Sequence, residues 1–238
     1  HLPAVEPEIG LDHWPNIYCG VAVLMFFLLY LGCRQIRQRE KIVMCSMLLF
    51  FFASFSVNVL NFIWHGFHYP NSLPCRQSFI YVFLMLLVCY EAYIHLHEIP
   101  WKHVVTAFFA SVIFVLLAQK LITDEAYHFS VFYVAILFLA IYAGLVGLYQ
   151  KGVSRNMLVL LALGVVSLEA AVNTTVTSVT TTSRTNYVKD NEASSELAGS
   201  LMPNTSFYRI EKVTRKTKND GAWLNFPTVS LFSSTANA

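Results

Sequence analysis

One short stretch concentrates the chemistry of this chain. From Asn61 to Phe79 it reads NFIWHGFHYPNSLPCRQSF, with Trp64, His65, His68, Tyr69, Asn71 and Arg76 close together. A segment that only reverses direction needs none of these side chains. Pro70 and Pro74 stiffen its backbone, and a stiff loop can hold polar groups in place for a ligand. The planar fork of Arg76 grips a phosphate in bidentate fashion. The plainer reading is a membrane-interface belt, with Trp and Tyr at headgroup depth and Arg76 reaching water along its own stem.

Carboxylates inside apolar runs are the second signal. Glu169 and Asn173 stand four apart, on one face of a helix. Ionisable groups in apolar spans are costly and usually line a cavity or pair. Glu169 is a weak catalytic candidate; its plain alternative is a solvated carboxylate at a helix end. Glu91 is expected to pair with His95 one turn on. Lys120 is a further, weaker partner for a phosphate. The histidines form no metal pattern, since zinc needs three or four converging ligands. Of five cysteines, only Cys19 and Cys75 fall where a disulfide could persist, and the plain reading is small apolar residues in or beside helices. No cofactor is expected; a divalent cation is possible but not indicated. No P-loop, GxSxG or GxGxxG is present.

The elements that must position these groups are apolar runs of membrane length. A bilayer core of roughly 30 Å takes about 20 helical residues to cross. Ile17 to Gly32, Ile42 to Trp64 and Phe129 to Gln150 carry no charge, whereas a soluble helix of such length needs a polar face. The chain is 56% hydrophobic and only 13% charged, against about 25% charged in a soluble domain. Its net charge of +2 is spread over joints and tail, which excludes a nucleic-acid partner.

Six spans are expected, near 16–32, 42–64, 77–95, 103–121, 129–149 and 156–173. None is broken by paired Gly or Pro in the transporter manner. One set of alternating joints holds Arg34, Arg37, Arg39, Lys41, Lys102, Lys151 and Arg155; the other holds Arg76 and Lys120. Basic residues accumulate on the cytoplasmic side. The first set is therefore inside, and both ends of the chain face outward.

The tail is of another kind. Residues 174–238 open with a Thr- and Ser-rich stretch, and Asp190 to Leu201 suits a short helix. SFYRIEKVTRKT and WLNFPTVSLFSS alternate as strands do, and KNDG between them signals a turn. The fold class is thus an all-α transmembrane bundle of about six spans over residues 1–173, followed by the start of a β-rich extracytoplasmic domain over 174–238. The lack of an initiator Met and the abrupt end at FSSTANA lead us to expect more protein on both sides.

Three stretches carry a family likeness: WHGFHYPNSLPCRQSF at 64–79, LEAAVN at 168–173, and SFYRIEKVTRKTKNDGAW with its following LFSST at 206–235. They resemble the YfhO family of bacterial multi-pass membrane proteins, its streptococcal and lactobacillal branch above all. The likeness implies a GT-C-type glycosyltransferase of the bacterial plasma membrane. Its donor would be a sugar on undecaprenyl phosphate and its acceptor a cell-wall polymer such as teichoic acid, on the outer face. It implies a catalytic carboxylate in a first outer loop that would lie upstream of His1. It also matches Glu169 and Asn173 to a Glu–Asn pair of the family. The substrate-binding set then reads His65, His68, Tyr69, Asn71, Arg76, Lys120, Glu169 and Asn173, and the bilayer is the surrounding partner. The rival classes are a transporter or flippase of lipid-linked sugar and a non-catalytic membrane scaffold.

Overall fold

The structure, a computed structural model, describes residues 2, 3, 5, 15–68, 75–122, 127–179, 183–201, 208–213 and 220–228. The chain divides into two units, His1–Thr181 and Thr182–Ala238.

The first unit is built of helices: α1 (Ala22–Gly32), α2 (Gln38–Ser56), α3 (Asn58–Trp64), α4 (Ser78–Ile94), α5 (Trp101–Leu121), α6 (Phe129–Gln150) and α7 (Arg155–Thr174). A single π-turn, Thr175–Val179, prolongs α7. Each expected apolar run is helical, but the count of six spans is not supported. Among the described residues three helices are long and apolar enough to cross a membrane: Trp101–Leu121, Phe129–Gln150 and Arg155–Thr177. A fourth exists if α2 and α3 count as one, although they meet at 101°. The reason is length. The 22 residues of α6 rise about 33 Å, whereas the 11 of α1 rise about 16 Å. Residues 15–20 before α1 are not helical. The expectation of unbroken spans also fails at Val57, whose extended φ of −99° and ψ of 106° end α2 without Gly or Pro.

α1 is central, packing against α4, α5 and α6, while α2 joins α4 and α6 joins α7. Val21, Met25, Leu29, Tyr30, Val88 and Leu139 are among the most deeply buried side chains. Outward, Leu160, Leu163 and Leu168 of α7 and Phe109, Ile113 and Phe114 of α5 stand exposed. Helices apolar on both core and outer faces are at home in lipid, where every backbone group must be bonded within the helix.

Polar side chains close the helix ends. The buried Lys41 ammonium donates to the carbonyls of Leu31, at 2.9 Å, and Cys33, at the C-terminus of α1. A cation there meets the negative end of the helix dipole. Gln150 Nε2 donates to Leu96 at 3.1 Å and Ile99 at 2.8 Å, tying α6 to the joint before α5. Trp101 lies so close to Gly147 that a Cβ there would sit 3.1 Å from its ring. On the same joint the His95 ring meets Glu98 at 3.5 Å. The expected Glu91–His95 pairing is thereby replaced: the helix ends at Ile94, so His95 turns toward its own tight turn.

In the second unit the described residues hold α8 (Arg184–Val188), α9 (Asn191–Ser200) and α10 (Asp220–Trp223), and no strand. The short helix expected over Asp190 to Leu201 is α9. The β-rich domain is not supported among the described residues. Where the two strand-like stretches approach, one backbone bond joins Ile210 N–H to the Pro227 carbonyl at 2.8 Å. Proline cannot return the bond, and an isolated pair of strands is marginal in water. Of the expected KNDG turn, Lys218 and Asn219 lie outside the described residues, and Asp220 and Gly221 begin α10. Buried Asp220 opens α10 and pairs with Lys212 at 3.2 Å. Ala198, Leu224 and Phe226 form the small core of this unit.

Candidate functional site

Glu169 lies fifteen residues into α7 and, with Leu158, is one of that helix's two buried side chains. Its carboxylate is 3% exposed, so the solvated helix-end reading is excluded. Burial of a carboxylate demands donors, and three come from two other elements. The Tyr18 hydroxyl donates to Oε1 at 2.5 Å, and the Val21 N–H donates to the same oxygen at 2.7 Å. The Tyr142 hydroxyl of α6 donates to Oε2. Val21 is the residue before α1, so the carboxylate sits at the positive end of that helix and satisfies one of its orphan N–H groups. Gly20, next to Val21, holds φ at +103°, and a Cβ there would stand 3.8 Å from Glu169 Oε1. Asn173, one turn on, is half-buried.

The second locus is the joint between α3 and α4. α3 closes in a Schellman motif. Gly66 N–H bonds Ile63 at 3.1 Å, Phe67 N–H bonds Phe62 at 3.0 Å, and Gly66 holds φ at +69°. The rings of Phe62 and Phe67 meet edge-on at 5.9 Å, the apolar contact that accompanies this motif. His65 Nδ1 bonds the Asn61 carbonyl at 2.7 Å, which makes Nδ1 the donor and leaves the buried Nε2 without a partner among the described residues. Asn61 Oδ1 accepts from the Cys75 N–H at 3.4 Å, linking the two ends of the joint. Cys75 is buried, which pushes its thiol above the usual value.

Arg76 and Gln77 then diverge. Gln77 is buried, its Nε2 donating to Ser54 Oγ at 3.4 Å. Arg76 is exposed one residue earlier, at the start of α4. Gln77 is the N-cap of α4 and makes no side-chain cap bond.

The expected site residues therefore separate. His65 and Arg76 share one joint, bridged by Asn61 and Cys75. His68 is exposed beside them, and Tyr69 and Asn71 lie outside the described residues. Lys120 is exposed at the far end of α5. Glu169 gathers its bonds from Tyr18, Val21 and Tyr142, none of them anticipated. A Tyr within an apolar run signals only interface or core, so nothing in the spacing marked these two. All five cysteines stand as thiols, Cys19 and Cys75 included. Among the described residues no three of His, Cys, Asp and Glu converge as metal ligands would.

No curated protein and no solved structure matches the chain. The family model described as bacterial membrane protein YfhO matches residues 7–238, which takes in both loci and the second unit. A bundle with helices apolar enough to cross a membrane agrees with that description, and the chain belongs to the YfhO family of bacterial membrane proteins.

Proposed function

We propose that this chain is the donor-binding part of a membrane glycosyltransferase, one that moves a sugar from a polyprenyl phosphate to a cell-envelope polymer on the outer face. The observation that carries the reading is the position of Arg76. It is exposed, one residue before Gln77, the N-cap of α4, and no side chain bonds that cap. A helix start and a guanidinium fork side by side form a ready phosphate site. In the reaction they would take up charge on the departing phosphate. In this reading both ends of the chain face outward. Glu169 is then a positioning residue, since three donors already occupy its carboxylate; it holds the start of α1 and the Tyr18 hydroxyl. The test is sugar transfer by the purified full-length parent carrying Arg76→Ala, compared with Arg76→Lys.

A second reading has its own observation. The 101° break at Val57 and the short α1 resemble the discontinuous helices of transporters. A flippase would move lipid-linked sugar between leaflets without any acceptor. Translocation of a fluorescent lipid-linked sugar in vesicles holding only the parent would favour it over transfer.

A further inference from the structure

α3 has two sides. At about 100° per residue, Asn58 and Asn61 share one arc, and Val59, Leu60, Ile63 and Trp64 take the opposite one. On the Asn side Asn61 Oδ1 accepts from the Cys75 N–H, and Asn58 is exposed. Much of the other side is exposed. Val59 is 64% exposed, Ile63 45% and Phe67 72%, and no residue of α3 is buried. Leu49, Phe50 and Phe52 of α2 are exposed as well, on the face that α2 would show to lipid. Trp64, the last residue of α3, rests on Phe51 of α2, ring centroids 5.3 Å apart, and so spans the angle between the two helices.

We propose that α3 and the Gly66–Phe67 turn lie in the plane of the membrane, with Val59, Ile63 and Phe67 sunk into the boundary between acyl chains and headgroups. The occupant of that face is lipid. Geometry leads there. The bend between α2 and α3 is 11° past a right angle. If α2 crosses with the usual tilt of about 20°, α3 runs within about 30° of the bilayer plane. Interfacial helices place an apolar face about 5–10 Å into this boundary and keep polar groups on the other side. The Asn58–Asn61 arc meets that requirement. Trp64 and His65 at the end of α3 have the mixed apolar and polar character of residues at that depth.

Quenching of Trp64 by brominated lipid tests the placement. The whole chain, carrying Trp14→Phe, Trp101→Phe and Trp223→Phe, is reconstituted in phosphatidylcholine vesicles. The lipids are brominated either close to the headgroup or close to the chain end. The expected result is a greater loss of Trp64 emission with the shallow bromines. A greater loss with the deep bromines would show that α3 continues α2 through the membrane. Loss with neither would show that protein covers this face, whether a second copy or the second unit; either result overturns the proposal. Trp101 packs on Gly147, so a second reporter keeps all four tryptophans. A nitroxide on Val59→Cys, with the native cysteines replaced, should collide with dissolved oxygen more often than with a water-soluble nickel chelate. The reverse ratio, or protection from both, overturns the proposal equally.

Discussion

The backbone N–H of Val21 donates to the carboxylate of Glu169 at 2.7 Å across 148 positions of sequence. That bond anchors the helix start on α7, and the Tyr142 hydroxyl ties the same carboxylate to α6. Removing the acceptor strands three donors. A buried donor left unmade costs about 1–3 kcal/mol, so Glu169→Ala should destabilise the bundle by several of these increments together. Tyr142→Phe removes one charged hydrogen bond and should cost about 1.5–3 kcal/mol. Unfolding of the purified protein in detergent, followed by circular dichroism, checks both. Unchanged unfolding midpoints would mean that the carboxylate does not hold the helices.

Arg76→Ala in the full-length parent should lower donor use by roughly ten- to a hundredfold, matching a charged hydrogen bond of about 1.5–3 kcal/mol. The membrane fold should persist, since the side chain is exposed. Arg76→Lys should restore only part, because Lys lacks the fork. Transfer kinetics equal to wild type in Arg76→Ala would remove Arg76 from the site.

Gly66 is a backbone requirement. At φ +69° it occupies the left-handed position that closes α3, a conformation costing an L-residue about 1–2 kcal/mol. Gly66→Ala should lower stability by that amount although no atom lies within 4 Å of the added Cβ. A denaturation midpoint unmoved by this change would show that the α3 end is not part of the cooperative fold.

Topology has a direct check. In a background without native cysteines, Arg37→Cys should resist a membrane-impermeant thiol reagent in intact cells, and Lys120→Cys should react. Both side chains are exposed, so access depends on the side of the membrane and not on burial. The opposite pattern would invert the orientation drawn from seven basic residues against two.

Composition alone was enough to establish an integral membrane protein, because an uncharged run of membrane length has no soluble alternative. The helical nature of each run, the short α9 and the chemical density of the 61–79 joint were legible for the same local reason. What required tertiary structure was everything set by a distant partner. Ile17 to Gly32 reads as one span, yet its helix starts only at Ala22, after Gly20 turns the backbone at φ +103° and where Glu169 takes the Val21 N–H. Ile42 to Trp64 reads as one span, yet it turns at Val57 with no Gly or Pro to announce it. The tail alternates like strands, but Pro227 accepts one bond and cannot donate the next, and Asp220 pairs with Lys212 at a helix start. Hydrophobic pattern specifies which residues leave water; the donors that meet a buried carboxylate, and the point where a helix stops, depend on which elements pack together.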